Sequence, residues 1–157
     1  MQSVFVLDKN MKALTPCHPA MARQLLKSSG RASVLRKVPF TIILSDWLWE
    51  DSVVPPMRVK IDPDSNTTGF ALVQSGGKVL WAGELTHRGQ QIKHALESRR
   101  MIRGNRRTRK LHYRQPRFDN WRKPEGWLPP SLNSRVENIL TWTLRLCKFS
   151  PAQAISM

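Results

Sequence analysis

Of the chain's 26 lysines and arginines, 13 crowd into residues 88–123, where the only acids are Glu97 and Asp119. This run constrains the fold more than any other feature. So one-signed a segment cannot enter a core, because an unpaired buried charge costs several kcal/mol, so it must face solvent or a polyanion. Residues 90–113 contain no proline and many helix formers, which predicts one long helix ended by Pro116. Gly104 inside it costs about 1 kcal/mol relative to alanine and marks a candidate kink. On that helix Arg100, Arg103, Arg107, Lys110 and Arg114 recur at spacings of three and four and share a face. Arg99, Arg106 and Arg109 widen it.

Such a face is strained by its own repulsion unless anions lie along it. Solvated helix faces mix charge signs, and this one does not. The whole chain has a formal net charge of +15, and the commonest partner for that excess is nucleic acid, whose phosphates release counterions on being neutralised. Arginine outnumbers lysine in the run, and a guanidinium gives planar, bidentate contacts to phosphate and stacks on unpaired bases. His112, Tyr113, Phe118 and Trp121 offer further stacking surfaces close by. A membrane surface is the weaker alternative: no apolar run approaches the roughly 20 residues of a spanning helix, and no segment pairs a basic face with a broad apolar one. The N-terminus lacks the pattern of a signal peptide, so a cytoplasmic, nucleoid-associated location is expected. Cys17 and Cys147 form no pair motif and read as idle or buried thiols.

The rest of the chain reads as α+β. Residues 3–7 are strand-prone, 8–10 a turn, 20–26 a short helix opening after Pro19, and 34–38 and 40–44 strands interrupted by Pro39. Residues 46–56 read as an irregular connector. Residues 57–61 alternate apolar and basic side chains, as a half-buried strand should. A polar turn at 63–69, an apolar run at 70–73, a Ser75-Gly76-Gly77-Lys78 hairpin and a strand at 79–83 complete a three-stranded antiparallel meander. Residues 114–131 read as loop. Residues 134–147 predict a helix whose Val136, Ile139, Leu140, Thr143, Leu144 and Cys147 share a face, with Trp142 in the core. The expected division is 1–54, 55–89, 90–123 and 124–157.

Asp62, at the end of the first meander strand, is the one candidate for chemistry. A carboxylate at a strand end can hold Mg²⁺ together with a substrate phosphate. The same residues, Asp62, Asp64, Ser65, Asn66, Thr67 and Thr68, equally suit a turn capped by Asp and Asn side chains, and spacing alone leaves both open. A calcium loop is excluded, since the sixth position is Thr67 and the twelfth Val73, where glycine and glutamate are needed. The four histidines are scattered without ligand spacing, and neither a phosphate-cradling glycine loop nor a nucleophile elbow is present.

Several stretches together resemble one family. Val4-Phe5-Val6-Leu7-Asp8-Lys9-Asn10, Thr15-Pro16-Cys17-His18-Pro19-Ala20 and Arg36-Lys37-Val38-Pro39-Phe40-Thr41-Ile42 are similar to the N-terminal, PLMP-like domain of IscB proteins, transposon-encoded RNA-guided DNA endonucleases. Val59-Lys60-Ile61-Asp62-Pro63, with Ser65, Thr67-Thr68-Gly69 and Ala71-Leu72-Val73, resembles the first RuvC-type nuclease motif. Arg99-Arg100, Arg103, Arg106-Arg107, Arg109-Lys110, Tyr113-Arg114 and Pro116-Arg117-Phe118 resemble the arginine-rich bridge helix and its exit, the stretch behind the name RRXRR domain. The resemblance implies a partial RNase H-like sheet, guide (omega) RNA and target DNA as partners, and Asp62 as a catalytic Mg²⁺ ligand. It implies nucleic-acid contacts from Arg99, Arg100, Arg103, Arg106, Arg107, Arg109, Lys110, Arg114 and Arg117. Asp64 stands where the family has glycine, at a position where a left-handed backbone would strain an aspartate. The family's second catalytic residue, a glutamate, belongs to the strand starting near Ala154, and its remaining nuclease parts lie further on. The expectation is therefore binding of structured RNA without cleavage by this chain alone. A stand-alone RNA-binding or accessory protein that has lost the nuclease is the alternative, and plain electrostatic binding of the ribosomal or architectural kind a third.

Overall fold

The computed structural model describes residues 2–28, 30–109 and 122–157. Over these residues it is α+β, with two four-stranded sheets and three α-helices. The chain packs as two compact units, Met1–Thr86 with Ile139–Met157, and His87–Asn138.

In the first unit one sheet is built from β1 (Val4–Leu7), β2 (Ala13–Cys17), β3 (Ala32–Arg36) and β4 (Thr41–Leu44), in the order β2-β1-β4-β3. β1 runs parallel to β4 and antiparallel to β2. All four β1 residues are buried, because the strand is covered on both faces. Val4 and Val6 pack with Leu14, Ile42 and Leu44 against Ala22, Leu25 and Leu26 of α1 (Pro19–Lys27). Phe5 and Leu7 point the other way, into the core of the second sheet. α1 begins at Pro19, which the first helical turn tolerates because its missing N–H would be unpaired there anyway. The His18 side chain accepts from Ala20 N–H at 3.2 Å. Strand β2 was not expected, since Pro16 reads as a breaker. It is an edge strand, where a residue without an N–H is tolerated.

Asp8 explains how the first turn is held. Fully buried, its carboxylate accepts from the N–H groups of Asn10 and Lys12, both at 2.8 Å, and from Trp49 N–H at 3.1 Å. It thereby ties the β1–β2 turn to the short 3₁₀ turn Trp49–Asp51 inside the connector.

The second sheet has the order β7-β6-β5-β8, from β5 (Met57–Pro63), β6 (Thr67–Gln74), β7 (Val79–Thr86) and β8 (Ala152–Ser156). β5, β6 and β7 form the expected antiparallel meander, but β6 starts within the stretch read as turn, leaving Ser65 and Asn66 at the tip between Asp64 N–H and Thr67 C=O, 3.0 Å apart. A fourth strand, β8, pairs parallel to β5. Met57, Val59, Ile61, Phe70, Leu72, Leu80 and Trp81 fill the core, with Phe5 edge-on to Trp81 at 5.8 Å between ring centres. Trp81 lies across Gly83, where a Cβ would come within 2.7 Å of the indole.

Helix α3 (Pro130–Phe149) closes this core, and here one expectation fails in part. Ile139, Trp142, Leu146, Cys147 and Phe149 pack inward, so Trp142 and Cys147 are core residues as expected. Val136, Leu140 and Leu144 are instead 43%, 56% and 69% exposed. The helix is apolar over more than half its circumference, so periodicity alone did not decide which arc meets the sheet. In the second unit, α2 (Gly89–Thr108) runs unbroken through Gly104.

Candidate nucleic-acid interface

Two sets of residues bear on function, one in each unit. In α2 no side chain is buried, no acid occupies the first turn, and Arg106 and Arg107 lie in the last turn, where the partial negative charge of the helix end favours cations. Arg99, Arg100, Arg103 and Arg106 are exposed and Arg107 is half-buried. The helix was expected to reach residue 113, yet it stops at Thr108, whose hydroxyl donates to the Asn105 carbonyl at 3.0 Å. That local bond competes with helix continuation, and Arg109 follows in extended conformation, φ −72° and ψ 145°. Lys110, Arg114 and Arg117, and the rings of His112, Tyr113, Phe118 and Trp121, lie outside the described residues. A stacked cation that sequence reading missed is Lys123, whose Nζ sits 4.0 Å from the Trp127 ring centre. Its signal was Pro-Glu-Gly-Trp, a turn in which Gly126 takes φ 74° and Trp127 N–H returns to Pro124 C=O at 3.2 Å.

The alternation of β5 exposes two further cations. Met57, Val59 and Ile61 point into the core, so Arg58, Lys60 and Asp62 must point out. Strand pairing turns this outer face into a grid. Ala154, Arg58, Val73 and Val79 form one row, Ser156, Lys60, Ala71 and Ala82 the next, and Asp62, Gly69 and Glu84 the third. Glu84 is thus a second exposed carboxylate in the row of Asp62. A Cβ on Gly69 would lie 3.6 Å from the Asp62 Cβ, an ordinary contact, so glycine here leaves the approach to that carboxylate open. The strain implied at Asp64 is absent: among the described residues Met11 is the only non-glycine with positive φ.

Among the described residues no group of three or more His, Cys, Asp or Glu side chains gathers where a metal ion could be held. Asp62 can offer Mg²⁺ one carboxylate, which suits an ion that keeps several waters and shares a phosphate. The buried His87, 8% exposed, is held below its ordinary pKa by burial and then by the Arg135 charge. The surface pairs Lys12–Glu50 and Arg31–Asp46, at 2.7 and 2.8 Å, join half-exposed side chains, where solvent screens both.

Against families of known proteins, residues 4–157 match the family described as RRXRR protein. The chain belongs to this family. RRXRR is the domain associated with IscB proteins, and at family level it is a nucleic-acid-binding domain. No curated protein matches the chain. No helix among the described residues of this RRXRR chain is long and apolar enough to cross a membrane.

Proposed function

We propose that this RRXRR chain is the nucleic-acid-gripping N-terminal part of an IscB-like RNA-guided DNA endonuclease. In this reading α2 is the bridge helix that runs along guide RNA, and target DNA is read by base pairing to that guide. The observation that carries it is a 20-residue helix that buries no side chain yet holds five exposed or half-exposed arginines between residues 99 and 107. A helix without a buried face has little to stabilise it in isolation, and phosphates along it supply what a core does not. The parallel pairing of β8 with β5 beside the meander supports an RNase H-like sheet. Within it we assign Asp62 as one ligand of Mg²⁺, held together with water and a phosphate.

The test is binding of a structured RNA against a random RNA of equal length and charge, by fluorescence anisotropy at several salt concentrations. A clear preference for the structured RNA is expected, with no nicking of DNA in Mg²⁺. Equal affinity for both RNAs would reduce the protein to an electrostatic binder. DNA nicking that Asp62→Ala abolishes would overturn the absence of cleavage. The second reading is a stand-alone RNA-binding or accessory module, which would need only the exposed arginines of α2. It differs in one outcome: Mg²⁺ would then leave the resonances around Asp62 unmoved.

A further inference from the structure

The outer face of the second sheet carries two cations that α2 does not account for. Resting on the reading of the chain as a nucleic-acid binder, we propose that this face is a second phosphodiester-binding surface, on which Arg58 and Lys60 hold the backbone of a single strand next to Asp62. β5 is an interior strand, bonded to β6 on one side and β8 on the other. Its outward side chains therefore stand in the middle of a sheet face, where charge needs a reason. Every cross-strand neighbour of the two cations is short and uncharged: Val73 and Ala154 beside Arg58, Ala71 and Ser156 beside Lys60. Among the described residues neither cation has an ion pair. A face designed to be buried under a helix would read apolar at these central positions, and a merely solvated one would pair opposite charges across strands.

The shape agrees. Two hollows open on this face, of about 380 and 490 Å³, and Arg58 and Lys60 line both. The first extends toward Ser75 and Gly77 at the hairpin, the second toward Asp62 and Gly69. Together they make a trough along β5, with Arg58 and Lys60 about 7 Å apart along it, a spacing that successive phosphates of an extended strand can match. Its floor of Ala71, Ala82, Ala154 and Ser156 lets a backbone come within reach of both cations. No aromatic side chain belongs to the grid, so bases are not stacked there, and contact is with phosphate and sugar without regard to sequence. The Asp62–Gly69–Glu84 row carries no cation and ends the cationic stretch.

The experiment uses the full chain and labelled 20-mers of oligo-dT and oligo-U, which form no duplex, in anisotropy titrations across salt. The probes for the site are Arg58→Gln/Lys60→Gln and, independently, Ala71→Glu, which sets a carboxylate opposite Lys60. For the double variant the slope of log K against log salt should become shallower by about 1.4, two single-strand phosphate contacts, which at 0.1 M salt is on the order of 25-fold weaker binding. Ala71→Glu should weaken binding in the same direction, with DNA and RNA affected alike and the melting curve unchanged. If the wild type binds these oligomers and both variants match it, the sheet face is no phosphate site, while the role of α2 stands. Should the double variant fail to fold, unchanged binding by Ala71→Glu alone overturns the proposal. A wild type that binds neither the oligomers nor structured RNA removes the nucleic-acid reading itself, and this inference with it.

Discussion

Arg103→Gln should strengthen the free α2 helix and weaken nucleic-acid binding in the same molecule. Arg103 has an arginine at each of its four helical neighbour positions, Arg99, Arg100, Arg106 and Arg107. A like-charge pair at these spacings costs about 0.2–0.5 kcal/mol at low salt, so four of them oppose the helix by about 1–2 kcal/mol. Glutamine has nearly the helix propensity of arginine, so propensity does not mask the effect. The variant is expected to slow amide exchange along α2 in 0.01 M salt. The gain should vanish in 1 M salt, where screening acts over about 3 Å. Bound to RNA or DNA, the same variant loses one phosphate contact, and its log K against log salt slope should be shallower by about 0.7–0.9. An unchanged slope would mean that Arg103 does not meet phosphate. Faster exchange in the free protein would mean that the arginines support the helix through their own contacts, and would refute the repulsion argument.

Three further outcomes follow from the rest of the fold. Asp8→Ala strands the N–H groups of Asn10, Lys12 and Trp49 and should cost on the order of 3 kcal/mol in denaturant unfolding, with Asp8→Asn in between; a midpoint equal to wild type would show the carboxylate to be dispensable. Gly83→Ala forces its Cβ to 2.7 Å from the packed Trp81 ring and should destabilise by about 1–3 kcal/mol, read as a fall of several degrees in Tm, whereas Gly69→Ala, with only ordinary contacts, should leave Tm nearly unmoved. Because burial and Arg135 lower the His87 pKa from 6.5, the unfolded chain takes up this proton first as pH falls; stability should therefore drop from pH 7.5 downward through the ordinary histidine range and level off below the depressed value, and His87→Gln should remove that part of the profile.

Much of this was legible in the sequence because it rests on short-range rules. The alternation of residues 57–61, the Gly76-Gly77 hairpin and the helix expected to open after Pro19 are local signals, and each element formed within a residue or two of where they point. What escaped needed long-range information. β2 is a strand only because β1 offers it an edge on which Pro16 is tolerated. The buried arc of α3 is chosen by the shape of the sheet, and a helix apolar over so wide an arc carries no local sign of that choice. Asp8 reads locally as a turn residue, and its bond to Trp49, 41 positions away, belongs to the fold. At the candidate sites, the arginine spacing in α2 was plain from periodicity. Glu84 joins the row of Asp62 only through the β6–β7 register, which no pattern within either strand contains.

The outer face of the second sheet owes its geometry to the core beneath it. A strand's side chains alternate with a period of two, so a slip of one residue in β5 would expose Met57, Val59 and Ile61 and bury Arg58, Lys60 and Asp62. Val59 is fully buried and Met57 nearly so, and each such side chain loses about 1.5–3 kcal/mol on exposure. Burying three unpaired charges in their place costs several kcal/mol apiece. Both terms oppose the slip, so the register of β5 is fixed far more tightly than hydrogen bonds alone would fix it. Arg58, Lys60 and Asp62 are thereby held on rigid backbone rather than on a loop, in a fixed order and at a fixed step. A substitution in the core at Val59 should therefore disturb oligonucleotide binding only by loosening the strand, and its effect should track the loss of stability; a change at Lys60 should alter binding with stability intact, and that contrast separates scaffold from interface within a single strand.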